Sequence, residues 1–185
     1  MGNIEQTEVE SKILEVGYKD LRDIIFDLGG KALFDEKPVL LSASWFKNIH
    51  GDEVRIRQEG DKIEVEYKKL KGISDGVKEM VEVGFEAKKV DDVVLFLNAL
   101  GFEENTSYRS VKDRVFYILQ HDKYGDVNFH FDNYSDLGGH DDIPEFMEIE
   151  VKQKEFMIPV ANMLGFTKDD LKDYDPGELL DHYKK

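Results

Sequence analysis

Residues 53–70 read EVRIRQEGDKIEVEYKKL. Val54 and Ile56 alternate with Arg55 and Arg57; after Gly60-Asp61 the alternation resumes, with Ile63, Val65 and Tyr67 against Glu64, Glu66 and Lys68. A period of two is the mark of a strand, because successive side chains point to opposite faces. The short Gly-Asp connection predicts an antiparallel hairpin. The polar face of this hairpin is ionised throughout, with guanidinium groups on one strand and carboxylates with an ammonium on the next.

The same split recurs along the chain. Glu8, Glu10 and Lys12 oppose Val9, Ser11 and Ile13; Lys112 and Arg114 oppose Val111 and Val115. His130 and Asp132 oppose Phe129 and Phe131, and Glu148, Glu150 and Lys152 oppose Met147, Ile149 and Val151. Strands are expected at 7–16, 39–46, 53–59, 62–70, 77–87, 107–119, 126–133 and 145–152, about eight in all. Helical spacing occupies 18–28, 90–100, 155–164 and 177–183, and Gly29, Gly101 and Gly165 stand where the first three helices should stop. Gly29-Gly30-Lys31 lacks the spacing of a phosphate-binding P-loop and reads as a helix end. No repeat, low-complexity run or linker divides the chain, so one domain over 1–185 is expected.

Composition narrows the function. The 185 residues hold 25 Lys+Arg and 40 Asp+Glu, a formal charge of −15, with 41% hydrophobic and 11% aromatic residues. That is enough apolar material for a core without disulfides or a structural metal. There is no cysteine, which excludes a disulfide framework, a thiolate zinc site and a cysteine nucleophile. Residues 1–11 are charged rather than basic and then apolar, and no stretch approaches the roughly 18 apolar residues of a spanning helix. A soluble, cytoplasmic protein without membrane contact is expected. Net negative charge repels nucleic acid unless the cations are segregated into one site.

Two architectures fit the strand faces. An open antiparallel sheet could cover its apolar face with helices and leave the charges in water. Against it, a solvated face normally mixes Ser, Thr, Asn and Gln with charges, whereas here ionised groups are clustered by sign from strand to strand. Eight strands also suit closure into a barrel, which removes free edges. The ionised faces would then line the lumen, and the apolar faces would pack outward under the helices. Such a lumen is costly to desolvate unless something charged fills it, and the natural occupant is a polyanion with divalent cations.

The residues then match a known family. Glu8-Val9-Glu10-Ser11-Lys12 resembles the Glu-x-Glu-x-Lys signature of the CYTH superfamily, the triphosphate tunnel metalloenzymes. Arg55-Ile56-Arg57 with Lys68, then Lys112-Asp113-Arg114, are similar to its two cationic strand motifs. Asp132, Leu137-Gly138 and Glu148-Ile149-Glu150 resemble its closing segment, and Asp173-Tyr174 through Glu178-Leu179-Leu180 its tail. The match runs in order over most of the chain and looks most like the class IV adenylyl cyclase branch, which is related to thiamine triphosphatases. The chain departs from the pattern at Lys78, where many members have Arg, at Asp173 in place of the tail Ser, in the loop 139–144, and in 42–46, which lacks the usual Asp before Trp45-Phe46.

The resemblance implies an α+β fold, a closed eight-stranded antiparallel β-barrel with flanking α-helices. It implies Glu8, Glu10, Asp132, Glu148 and Glu150 as ligands of Mg²⁺ or Mn²⁺, and Arg55, Arg57, Lys68, Lys112 and Arg114 as a triphosphate clamp. Lys12 is either a catalytic base with a depressed pKa or an ion-pair partner. The implied reaction is conversion of ATP to cyclic AMP and pyrophosphate. The alternatives are hydrolysis of thiamine triphosphate, inorganic triphosphate or a nucleoside triphosphate, and non-catalytic polyphosphate binding. A homodimer is compatible with the branch. Exposed carboxylates are expected at Glu64, and loop or lumen-edge places for His121, His130 and His140, which lack a metal-binding spacing.

Overall fold

A computed structural model describes residues 5–184; residues 1–4 and 185, the ends of the expected domain and part of the charged 1–11 stretch, lie outside the described residues. The strands are β1 (Glu5–Ile13), β2 (Lys31–Ala32), β3 (Val39–Lys47), β4 (Glu53–Glu59), β5 (Lys62–Ser74), β6 (Val77–Ala87), β7 (Glu103–His121), β8 (Gly125–Leu137) and β9 (Phe146–Val151). The helices are α1 (Tyr18–Asp27), α2 (Val90–Ala99), α3 (Lys154–Met163) and α4 (Pro176–Tyr183).

The sheet runs β7-β3-β4-β5-β6-β1-β9-β8, and β8 pairs again with β7. All pairings are antiparallel, and the return of β8 to β7 closes the eight strands into a barrel. The expected hairpin is present: Glu59 faces Lys62 across a two-residue turn in which Gly60 takes φ +57°. β7 is long enough to carry β3 along Glu103–Arg114 and then the extra two-residue strand β2 at Tyr117 and Ile118 on one edge, with β8 along the other. β2 was not expected, because two residues are too few to display alternation. The first strand stops at Ile13 rather than 16, since Glu15 turns the backbone at φ +58° and the Val16 amide bonds the Glu145 carbonyl.

The apolar strand faces point outward. Val9, Ile149, Phe129, Phe131 and Tyr117 pack under Leu21 and Ile25 of α1 and Met157, Val160 and Ala161 of α3. Val54, Ile56, Ile63 and Val65 pack under Val93 and Leu97 of α2. A third cluster differs in lying at one mouth of the barrel: Tyr134 and Phe146, on the inward parity, join Leu137 and meet Leu179 and Leu180 of α4. The core is thus the wall between barrel and helices, which leaves the inside for the charges. Among the described residues no helix is long and apolar enough to cross a membrane.

The segment before α4 is strapped across one end of the barrel. Lys12 and Lys172 exchange backbone hydrogen bonds of 2.8 Å, and Ser11 Oγ donates to the Gly76 carbonyl at 2.6 Å. Gly76 has φ +71°, and a Cβ there would lie 2.2 Å from the Leu171 carbonyl oxygen. Neither the conformation nor the space tolerates a side chain. Gly76→Ala is expected to lower unfolding stability by about 1–3 kcal/mol, measured by urea denaturation, whereas Gly60→Ala, with open space around its Cβ, carries only the backbone part of that cost.

Candidate active site

The inward parity of seven strands brings the ionised side chains into one tunnel. One chamber, of 370 Å³, is lined by Glu8, Glu10, Lys12, Arg55, Arg57, Lys68, Lys78, Lys112, Arg114, Glu148 and Glu150. Its wall also carries Leu41, Trp45, Met80, Tyr108, Tyr134 and, from the strap and α4, Tyr174, Asp175, Pro176, Glu178 and Leu179. A second chamber of 650 Å³ shares Glu8, Leu41, Arg55, Arg57, Arg114 and Glu150 and continues to Glu59, Lys62, Glu64, Glu66, Glu82, Phe116 and His130. The shared residues make the chambers two ends of one passage. The first end adds aromatic and apolar side chains to its ionised ones, whereas the second carries Phe85 and Phe116 among mostly ionised residues.

Each cation rests on a carboxylate. Arg55 holds Glu66 through Nε and Nη2 at 2.8 and 2.5 Å, and Arg57 holds Glu64 at 3.1 and 2.5 Å. Lys68 lies 3.3 Å from Glu8 and also pairs with Glu82. Lys12 lies 3.0 Å from Glu148 and 3.6 Å from Glu10. Arg114 grips Asp132 with two bonds of 2.6 Å and reaches Glu148 at 3.0 Å, while Lys112 bonds the same Asp132 at 2.5 Å.

Ten of the eleven residues singled out from the sequence therefore line the passage. Asp132 does not. It is fully buried, outside the walls of both chambers, and both its oxygens are taken by Arg114 and Lys112. Burial raises its pKa, but the two cations win and hold it below the usual range. Asp132 thus stands behind Lys112 and Arg114 and orients both cations, apart from the four glutamates that face the chambers.

Ionisation separates the lysines. Burial works against charge on Lys12, yet Glu10 and Glu148 outweigh it and hold the ammonium above its ordinary value. That favours the ion-pair reading of Lys12 over a depressed base. Burial and the neighbouring Arg114 instead lower Lys112 to about 8, against the pull of Asp132 and Glu148. Glu8 moves the other way from most of its neighbours: burial, with Glu150 and Glu10 nearby, raises it although Lys68 lowers it. A buried carboxylate crowded by carboxylates is a place where added positive charge would be stabilised. Glu8, Glu10, Glu148 and Glu150 supply hard oxygen donors, which fit Mg²⁺ or Mn²⁺.

Several lining residues were not singled out. Tyr134 continues the parity of His130 and Asp132, and Tyr108 and Ser110 that of Lys112 and Arg114, so strand parity could have found them. Glu64 and Glu66 are cation partners rather than free surface groups. His130 is buried inside the tunnel, whereas His121 stacks on Tyr124 and His140 bridges Leu137 at the surface loop. Tyr174, Asp175 and Glu178 carry no periodic signal and reach the tunnel only through the strap.

No family model matches the sequence, and no curated protein does. Solved structures match over nearly the whole chain. A Pyrococcus horikoshii protein is 22% identical with a TM-score of 0.72, covering 93% of this chain and 98% of its own. A candidate adenylate cyclase from Vibrio parahaemolyticus is 13% identical with a TM-score of 0.71, covering 96% and 99%. This chain has the CYTH-type triphosphate-tunnel fold. A candidate adenylyl cyclase from Hippeastrum, described as having a dominant triphosphatase activity, is 15% identical with a TM-score of 0.53, covering 92% and 91%. At the level of the fold, the resemblance read from the sequence stands.

Two outcomes follow from the tunnel's ion pairs. Asp132→Ala leaves Arg114 and Lys112 buried without their partner and should cost about 3–5 kcal/mol in denaturant unfolding. Burial raises Glu66, but Arg55, Arg57 and Lys68 hold it down to about 2, against 4.5 as its ordinary value. Its contribution is therefore full above about pH 4.5 and is lost as pH falls toward 2. Thermal midpoints should drop through that window, and Glu66→Gln should begin lower at pH 7 and fall less steeply.

Proposed function

We propose that this chain is a divalent-metal-dependent enzyme that processes an organic triphosphate inside the tunnel, by the reaction of a class IV adenylyl cyclase. The observation that carries the reading is the convergence of Arg55, Arg57, Lys68, Lys112 and Arg114 with Glu8, Glu10, Glu148 and Glu150 on one passage. Guanidinium forks and ammonium groups bind the phosphate oxygens and neutralise charge that grows on them during transfer. Glu8, Glu10, Glu148 and Glu150 would hold Mg²⁺ or Mn²⁺, which would supply Lewis acidity to the reaction. Lys12 keeps Glu10 and Glu148 in place.

The aromatic end supports an organic substrate. Trp45, Tyr108, Met80 and Leu179 wall it, and the Arg55 guanidinium lies 5.4 Å from the Trp45 ring centroid. A planar head group fits against such walls, with its phosphates continuing to the clamp. In the cyclase reaction the ribose 3′ oxygen bonds to the α-phosphorus as its bond to the β-bridging oxygen breaks, so cyclic AMP forms and pyrophosphate leaves with its charge on the clamp. The proton of the 3′ hydroxyl passes to a base.

A second reading is hydrolysis of the terminal phosphate. The ionised chamber favours it, because it gives water a route to the end of the triphosphate remote from the head group. The likeness to the Hippeastrum protein is in keeping with this reaction. Mass spectrometry of products from ATP and from inorganic triphosphate, each with Mg²⁺ or Mn²⁺, decides between them. Cyclic AMP with pyrophosphate is expected; orthophosphate without cyclic AMP would establish the hydrolase, and no turnover of either would leave a binder. In all three cases triphosphate with metal should raise the melting temperature, by about 2.7 kcal/mol of stability at a hundredfold excess over Kd. For an enzyme, Glu10→Gln should lower kcat by about 10²–10³ while the protein keeps its fold.

A further inference from the structure

Each cation of the clamp rests on a carboxylate, whereas a neutral donor standing among them does not. Tyr134 is 7% exposed and lines the first chamber. Its ring is held from two sides: it stacks on Phe146 with centroids 5.9 Å apart, and the Lys112 ammonium lies 5.2 Å from its centroid. Elsewhere in the protein Tyr67 gives its hydroxyl to Asp52 at 3.0 Å and Tyr117 to Glu36 at 3.1 Å, but among the described residues the Tyr134 hydroxyl bonds nothing. A buried phenol ordinarily finds a partner. One left open on a chamber is placed for a partner that arrives from outside.

We propose that Tyr134 is a substrate-binding residue whose hydroxyl donates a hydrogen bond to a non-bridging oxygen of the phosphate next to the organic head group. This rests on the reading of the tunnel as a triphosphate site and adds which phosphate is held there and by what. The register supplies the place. Along β7 the inward residues run from Tyr108, in the first chamber only, through Ser110 and Lys112 to Arg114, which both chambers share, and then to Phe116, in the second only. Tyr134 stands opposite Lys112, between the aromatic head-group wall and Arg114. A triphosphate lying head-first along that line has its α-phosphate at Tyr134.

The chemistry of the hydroxyl suits that position. Burial, with Asp132 and Glu148 nearby, raises its pKa although Lys12 and Arg114 pull it down, so the phenol keeps its proton and donates. A hydrogen bond to an ionised phosphate oxygen is charge-assisted and has a direction, which a flexible ammonium does not impose. In the cyclase reaction the α-phosphorus is the reacting atom, and a fixed donor on its oxygen stabilises charge as it develops there. Tyr108 and Tyr174, the other tyrosines of this chamber, are only half-buried.

The test compares the full chain with Tyr134→Phe, which keeps the ring, its stack on Phe146 and its face toward Lys112. The melting temperature should not fall, since the hydroxyl has no protein partner to lose. With ATP and Mg²⁺ the variant should lose about 10–100-fold in kcat/KM, the worth of one hydrogen bond to a charged group. If the protein binds ATP without turning it over, the same loss should appear in Kd by calorimetry. The two diastereomers of ATP bearing sulfur on the α-phosphorus then locate the bond. With the isomer whose sulfur replaces the bonded oxygen, Tyr134→Phe should cost little further, whereas with the other isomer it should cost as much as with ATP. Unchanged ATP turnover and affinity in the variant overturn the proposal, and so does an equal loss with ATP and both isomers. In either case the triphosphate reading stands. A second measurement needs no loss of the hydroxyl: with fluorotyrosine at 134, the fluorine resonance should move on adding ATP with Mg²⁺, and a fixed resonance under saturation overturns the proposal. If the wild-type protein neither binds nor turns over ATP or inorganic triphosphate, the triphosphate reading fails and the proposal with it.

Discussion

Where β7 meets β8 the barrel closes, and the register sets Arg114 opposite Asp132. The two side chains join through a pair of short bonds with no exposure of the carboxylate. A buried charge is tolerated only when it is paired and hydrogen-bonded, so this contact is the condition under which the seam can hold ions on its inner face. The other pairs follow from it around the ring. Glu148 is reached by Arg114 and Lys12, Lys12 by Glu10, and Glu8 by Lys68. The result is a charged network in which each member has a partner of opposite sign, kept from collapse by the strands that carry it.

The network also explains why the apolar side is outside. Hydrophobic burial needs a second layer, and helices α1 and α3 together, and α2 separately, supply it over two stretches of barrel wall. Helix and strand faces are complementary because each strand devotes one parity to the wall and the other to the tunnel. An acidic chain can then concentrate cations inside its barrel. The passage differs at its two ends because the strap and α4 bring Tyr174, Pro176 and Leu179 to one mouth only.

Period-two alternation made the eight barrel strands and their inward residues legible before any coordinates. Arg55, Arg57, Lys68, Glu8, Glu10, Glu148 and Glu150 were all found by parity and motif, since a strand reports its own two faces locally. The four helices were legible from their own spacing, with the stops of the first three marked by Gly29, Gly101 and Gly165. Asp132 was on the right face, but its depth and its two cationic partners were not legible, because parity says which way a side chain points and not how deep it lies or who occupies its oxygens. His130 was expected in a loop or at the lumen edge, and its burial against Glu148 and Glu150 was hidden because those residues come from another strand. Lys12 remained ambiguous until its neighbours were known, as its charge state depends on Glu10 and on Glu148 from a different strand.

By itself, the sequence determined what each strand is: an amphipathic ribbon with one ionised and one apolar face, cut to length by its turns. Those are short-range properties, settled by neighbours one to four residues apart. Only the tertiary structure decided which ionised faces meet, that Arg114 and Lys112 share Asp132, that His130 stands against Glu148 and Glu150, and that the strap walls one mouth. The reason is physical. Electrostatic and coordination chemistry depends on distances of a few ångströms between residues far apart along the chain, and those distances exist only once β7 has closed on β8.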